Sequence, residues 1–296
     1  MTPQSRLITL QAITFLHPGT GQTTGVVDLP IQREVHTGYP MFASSGFKGS
    51  LRDKAEQLWN KEPDNVKTLF GSSVNGDETN TSAGAFSITD ARILAFPVRS
   101  LQQVFVWVTC PMVIQRLLRD IELIGYGKPE IALDDALALV EAKALAATGS
   151  PLKDLLILED VNFNVTANKT VDAIVELLTP LLDGQAGFDG KRLVVIPNDD
   201  FQHLVRYATQ VSARIQLNDE SKTSDNLWYE ETLPPETLMY ALALCHDPRR
   251  GNDQIQDAGQ VAQKLQALLE DRFLQIGGNE TVGQGWCCVK ISGGQS

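Results

Sequence analysis

The residue pattern predicts an α+β fold built on a split ferredoxin-like βαββαβ sheet. Three observations carry this. Residues 6–15 (RLITLQAITF) alternate apolar and polar side chains, which is the period of a strand. A helix and two more strand-like segments follow before residue 110, and the chain closes with a helix and a final strand. Between these halves lies a long run of mixed helical and strand patterns that reads as an insertion.

Taken in order, the elements are as follows. From His17 to Arg52 the chain is rich in glycine, proline and histidine, and no helical period appears until about Ser45. A structureless segment of that length in a compact domain is usually functional. Ser44 or Ser45 is the expected cap of a helix reaching about residue 60, with Leu51, Ala55 and Leu58 on its inner face. Residues 71–84 (GSSVNGDETNTSAG) hold almost no apolar side chains and predict a surface loop. Residues 85–96 and 103–110 predict an antiparallel strand pair, and Pro111 suits the first turn of a helix. Leu133, Leu137, Val140 and Ala144 predict another helix, with Lys143 on its wet side. A strand at 155–165 and a helix at 171–182 come next, then a helix capped by Asp199 and Asp200 and a strand at 211–217. The following segment, LNDESKTSDNLWYEETLPP, is polar yet carries Trp228 and Tyr229, the composition of a protruding hairpin. A strand at 237–245, a helix marked by Val261, Leu265 and Leu268, and a glycine-rich loop entering a last strand complete the chain. The expected organisation is a single domain over 1–296. Its palm comes from about 5–110 and 237–292, and its insertion from about 111–236.

The net charge of −11 and pI near 4.8 argue against a free-standing nucleic-acid binder. Locally the balance differs: Arg6, Arg33, Lys48 and Arg52 face only Asp28, Glu34 and Asp53 in the first part of the chain. A neutral-to-basic groove on an acidic body is compatible with this. No apolar run has the length of a membrane span or the form of a signal peptide, so a cytoplasmic protein without membrane partners is expected. Cys110, Cys245, Cys287 and Cys288 form no CxxC pair and read as reduced thiols.

Several segments can carry chemistry. Gly19, Gly21 and Gly25 follow a strand, but their spacing is GxGxxxG and Pro30 opposes the helix a dinucleotide site needs. GFKGS has the wrong order for a P-loop. SSGFKGSLR sets amides, hydroxyls, Lys48 and Arg52 at a helix start, which can hold a phosphate or can be an ordinary solvated basic face. Asp28, with His17 and His36 in the same loop, can hold a divalent cation, orient a 2′-hydroxyl or move a proton. It can equally make an Asx turn. Glu230 and Glu231 beside Trp228 and Tyr229 are either part of a site or a charged hairpin stem. Gly277, Gly278, Gly283 and Gly285 let backbone approach a ligand closely or form a tight turn.

GVVDLPIQREVHTGYP followed by SSGFKGSLRD, with LNDESKTSDNLWYEETLPPETL and IGGNETVGQGW later, resembles the fourth-subunit family of the Cmr complex, the Type III-B CRISPR effector. The matches run in order from residue 17 to residue 286. The resemblance implies an RRM-like RAMP palm with a protruding thumb. It also implies a filament of copies along the CRISPR RNA, bound to other Cmr subunits, and regular cutting of single-stranded target RNA. On that reading Asp28 is the cleavage aspartate, and His17, Glu230 and Glu231 lie near the scissile phosphate. Ser45, Lys48 and Arg52 grip the guide backbone, and the glycine loop, with Gly277, Gly278, Gly283 and Gly285, adjoins the RNA. A magnesium or manganese ion at Asp28 is expected. Two other readings stay open: a guide-binding scaffold that does not cut, and a small-molecule enzyme using His17, Asp28 and His36 as an acid/base cluster.

Overall fold

The computed structural model describes residues 4–60, 62–72, 81–127, 131, 143–182 and 187–293. The palm uses β1 (Gln4–Ala12), a two-residue β2 (Met41–Phe42), α1 (Ser44–Leu58), α2 (Pro63–Phe70), β3 (Phe86–Ile88) and β4 (Ala91–Arg99). Outside it come β5 (Phe105–Thr109), α3 (Pro111–Leu123), β6 (Lys143–Ala146), β7 (Leu155–Leu158), β8 (Val161–Ala167), α4 (Lys169–Leu182), β9 (Leu193–Val195) and α5 (Asn198–Tyr207). The hairpin β10 (Gln210–Leu217) and β11 (Ser224–Thr232) follows, then β12 (Leu238–Cys245), α6 (Ala258–Leu268), β13 (Phe273–Gln275) and β14 (Trp286–Gly293).

The sheet runs β13-β14-β1-β12-β4-β5-β9-β6-β8-β7. Within it, β14-β1-β12-β4 is the ferredoxin-like order, with each neighbour antiparallel: Ile8 opposes both Ala241 and Ile291, and Met239 opposes Ile93. The third palm strand is therefore the late β12, not the segment at 103–110. That segment does pair with its predecessor (Phe96 with Val108), but on the outer edge of β4. Pairing of sequence neighbours is satisfied either way. What selects β12 for the centre is its near-continuous apolar run, LMYALALC, buried on both faces.

The alternation in β1 marks a strand, but its polar side is not wet. Thr9 and Gln11 are buried, and Thr9 Oγ1 donates to the Leu181 carbonyl of α4 at 2.8 Å. Helices α1 and α6 cover the other face of the palm through Phe47, Leu51, Val261 and Leu265.

Helix caps differ from expectation because tertiary contacts supply them. The N-cap of α1 is Ala43, whose N–H donates to Gln32 Oε1 (2.7 Å), and the Ser44 N–H donates to Asp90 Oδ1 (2.8 Å). Leu58 is exposed, and Phe47 takes its place in the buried stripe with Leu51 and Ala55. Asp199 and Asp200 sit in the first turn of α5, after an N-cap at Pro197. There they complement the helix dipole. The strand predicted at 155–165 is broken into β7 and β8 by Glu159, whose φ is +51°. The helix predicted around Leu133, Leu137 and Val140 lies outside the described residues, as do 73–80 of the predicted surface loop. Lys143 and Ala144 belong to strand β6, parallel to β8. The strand predicted at 85–96 divides into β3 and β4 at Thr89 and Asp90, and the short elements β2, α2, β9 and β13 carry too few residues to show a period.

Both faces of β14 are covered, so adjacent Cys287 and Cys288 are both buried, as are Cys110 and Cys245. Burial pushes the Cys110 and Cys245 thiols up to about 11 and that of Cys287 up to about 12. At pH 8 a thiol with a pKa of 11 is only about one part in a thousand thiolate, the reactive form. An aromatic disulfide reagent is expected to leave the native protein unlabelled at pH 8 and to label all four cysteines once denaturant is added. Rapid native labelling would contradict this packing.

Candidate nucleic-acid interface

The thumb is a separate two-stranded sheet, β10 with β11, in register Val211 to Glu231 and Arg214 to Trp228. Residues opposite one another share a face. One face therefore carries Ala213, Ile215, Leu227 and Tyr229, and the other Ser212, Arg214, Trp228 and Glu230.

At the thumb's root the free edge of β11 meets the glycine-rich loop. The Leu29 N–H donates to the Tyr229 carbonyl and the Glu231 N–H to the Leu29 carbonyl, each at 3.0 Å. The Ile31 N–H points the same way, to Glu231 Oε2 at 3.1 Å. Pro30, which has no N–H to give, falls between these two donors, where its missing donor faces away from the strand. Asp28 lies one step back. Its Oδ2 accepts the Tyr229 N–H at 2.7 Å, and the side chain keeps partial exposure.

Glu231 is buried, and all its bonds are to the surrounding protein. Besides Ile31, its carboxylate accepts from Arg33 (2.5 Å) and the Thr209 hydroxyl (2.8 Å). Glu230 is buried too, accepting from Asn279 Nδ2 at 2.6 Å and Arg214 at 3.2 Å. Asn279 itself sits in the left-handed region, in the glycine-rich C-terminal loop. His17 Nδ1 lies 2.7 Å from the Glu231 carbonyl. A carbonyl only accepts, so Nδ1 is the donor in this bond.

The glycines make room for this histidine. A Cβ on Gly19 would come within 2.6 Å of His17 Nε2, and one on Gly277 within 2.7 Å of the His17 carbonyl. Gly278 donates its N–H to that carbonyl at 3.0 Å. Gly285, at φ +84°, sits where a Cβ would be 2.1 Å from the Ile276 carbonyl, whereas Gly283 only turns the chain. The close approach made by Gly277, Gly278 and Gly285 is thus to the protein's own backbone.

His17, Asp28, Glu230, Glu231 and the glycine loop therefore form one cluster. Ser45, Lys48 and Arg52 form another, on α1. Ser45 is exposed. Lys48 donates to the Phe86 carbonyl at 2.8 Å above that residue's ring, and burial together with Arg52 lowers its pKa. Arg52 donates to Glu56 and to the Gly71 carbonyl. Gln32 ties the clusters together, donating to the Gly19 carbonyl (2.9 Å) while accepting from Ala43. His36 joins neither. It is exposed beside Glu34 and lines a cavity with Arg92, Arg116 and Arg119, so the acid/base cluster of His17, Asp28 and His36 is not formed.

Pattern reading missed Thr209, Asn279 and Gln32, whose importance comes only from the fold; Arg33 counted in the sequence only as a charge. Among the described residues no group of three or more His, Cys, Asp or Glu side chains is placed to hold a metal. None of the described helices is long and apolar enough to cross a membrane.

A ferredoxin-like palm, closed on both faces and bearing a thumb whose root pins a loop aspartate, defines an architectural class. The chain matches the model of the RAMP superfamily over residues 9–288. It is 34% identical over 292 residues to the CRISPR system Cmr endoribonuclease Cmr4 of Pyrococcus furiosus, covering 96% of this chain and 95% of that one. It is 26% identical over 301 residues to the CRISPR system CMR subunit Cmr4 of Saccharolobus solfataricus, covering 93% and 92%. The crystal structure of oligomeric Cmr4 from Pyrococcus furiosus is similar over 100% of both chains, with a TM-score of 0.75 at 27% identity. The chain belongs to the RAMP superfamily and, within it, to the Cmr4 family.

Removing a buried, hydrogen-bonded carboxylate leaves its donors unpaired, at a cost of roughly 3–5 kcal/mol. Glu231→Ala is expected to lose about that much in denaturant unfolding, because it strands Arg33 and the Ile31 amide. Stability equal to wild type would mean that the thumb root is held by something else.

Proposed function

We propose that this chain is the CRISPR RNA-binding backbone subunit of a Type III-B Cmr complex and that it cuts guide-complementary single-stranded RNA at regular intervals through Asp28. The observation that carries the reading is the partly exposed Asp28 carboxylate, oriented by the Tyr229 N–H at the root of a protruding thumb. The relative from Pyrococcus furiosus is named an endoribonuclease, and its crystal structure an oligomer. Copies of this chain then stack along the guide beside other Cmr subunits, each presenting one thumb and one Asp28.

The chemistry needs little from the protein. RNA carries its own nucleophile, the 2′-hydroxyl, and a strand splayed by the thumb can bring it in line with the adjacent phosphate. Asp28, with one oxygen fixed by Tyr229, has the other free to take the proton of the 2′-hydroxyl as its oxygen bonds to phosphorus and the P–O5′ bond breaks, the leaving 5′-oxygen taking a proton from water. Asp28 would supply the one carboxylate with which magnesium or manganese could be held, and such an ion would supply stabilisation of charge on the phosphoryl oxygens. Glu230, Glu231 and His17 act as positioning residues: their polar groups hold Asn279, Arg33 and the β11 backbone in place. Ser45, Lys48 and Arg52 on α1 face the guide, and base pairing rather than side chains reads the sequence.

In the reconstituted complex, Asp28→Ala is expected to slow the regularly spaced cuts by about a hundredfold or more, with guide and target binding intact. Exhaustive chelation is expected to do the same. Cuts that persist in the variant would leave this chain as a guide-binding scaffold, and cuts that survive chelation would remove the ion.

A further inference from the structure

The geometry points to a second phosphate site: we infer that a phosphodiester of the guide RNA seats between Arg92 and Arg119, carrying the guide's track from the start of α1 onto α3. The inference rests on the guide-binding reading above.

An open cavity of about 550 Å3 lies between α3 and the loop at 34–36, walled by Arg92, Arg116 and Arg119. These three guanidinium groups are not equivalent. Arg116 is nearly buried and engages Glu34 through both terminal nitrogens, at 2.5 and 3.0 Å. The Thr37 hydroxyl donates to the same carboxylate at 2.6 Å. That pair is structural and fixes the loop as one wall.

Arg92 gives one nitrogen to Asp120 at 2.8 Å, and Asp120 also accepts the Tyr240 hydroxyl at 2.8 Å. The other donors of Arg92 remain on a side chain that is 27% exposed. Arg119 is 73% exposed, with its Nε 3.8 Å from Asp120, and it makes no hydrogen bond among the described residues. Three guanidinium groups therefore meet two carboxylates, both largely buried. The surplus charge and the uncommitted planar donors belong to Arg92 and Arg119. Planar guanidinium forks match the oxygens of a phosphate.

Two further observations select RNA as the occupant. The chain as a whole carries −11, so its surface repels a polyanion except where cations converge, and here they do. One wall residue of the cavity, Arg92, also lies on the strand that borders the start of α1. Arg92 pairs with Met41 across β2 and β4, just before α1, and Asp90, two residues before Arg92, caps the Ser44 N–H.

The test measures binding of guide RNAs of unrelated sequence to the full-length chain over a range of salt. The proteins compared are wild type, Arg119→Ala, Arg119→Glu and Lys48→Ala. Arg119→Ala is expected to weaken every guide alike and to flatten the dependence of log affinity on log salt by about 0.7, one single-strand phosphate contact. The Arg119→Glu variant should weaken binding further. If both Arg119 variants bind as wild type while Lys48→Ala weakens, the guide passes elsewhere and this inference fails, with the guide-binding reading intact. If neither the wild-type chain nor the reconstituted complex holds guide, the guide-binding reading fails and this inference with it. Unchanged RNA binding with lost incorporation into the complex would assign the cavity to an acidic protein surface and overturn the inference.

Discussion

A carboxylate taken out of water costs several kcal/mol unless donors replace the water it leaves, and Glu231 is arranged around that constraint. Its two oxygens receive a backbone amide from the glycine-rich loop, a guanidinium from the same loop, and a hydroxyl from the turn before the thumb. Two donors come from the loop, the third from the turn between α5 and β10, and the carboxylate from β11, so the charge is satisfied only when these three segments are together. A loop with almost no regular structure thereby gains a fixed position. Asp28, three residues before Ile31, inherits that position through Tyr229. Arg33 extends the same linkage by donating to the carbonyls of Gly38 and Val205.

The palm's packing explains why the proposed functional surface lies out on the loop and thumb. In a sheet with the ferredoxin-like order one face is often left open, and RNA-binding domains of that shape stack bases on it. Here α4 closes that face, and of the buried polar residues of β1, Thr9 bonds to α4 and Gln11 to Glu236. What remains outside the packed sheet is a rim that includes α1, the loop from His17 to Arg33 and the thumb. The glycine-rich C-terminal loop completes this rim from beneath. It buttresses His17 and, through Asn279, Glu230, and any larger residue at Gly277 or Gly285 would collide with backbone.

How legible this was in the sequence varies by residue. Periodic segments were readable: α4, α6 and β10 fall where their patterns place them, α3 starts at its proline, and β11 lies in the segment whose composition marks a hairpin. So was the clustering of Asp28, His17 and Glu230–Glu231, although only through a family resemblance and not through spacing. The palm's third strand was not readable, because a local strand pair at 85–110 satisfies the same pattern as the long-range pairing of β12. Helix caps were misplaced for a related reason. Gln32 and Asp90 satisfy the amides at the start of α1, and nothing in the sequence near Ser44 reveals them. The roles of the glutamates also needed coordinates. An acidic pair beside aromatic residues looks like chemistry until its oxygens are seen to be taken by Asn279, Arg214, Arg33 and Thr209.

The claim on which the account turns is that loop and thumb root form one cooperative unit. Hydrogen exchange of the native chain, resolved to single amides, tests it most directly. The account predicts that the amides of Leu29, Ile31, Tyr229 and Glu231 are protected together and open with a common free energy, while those of Gln22, Thr24 and Val26 exchange freely. If Leu29 and Ile31 exchange as fast as Gln22, Thr24 and Val26 while Tyr229 and Glu231 stay protected, the loop is not held by the thumb. Asp28 then has no fixed place from which to act.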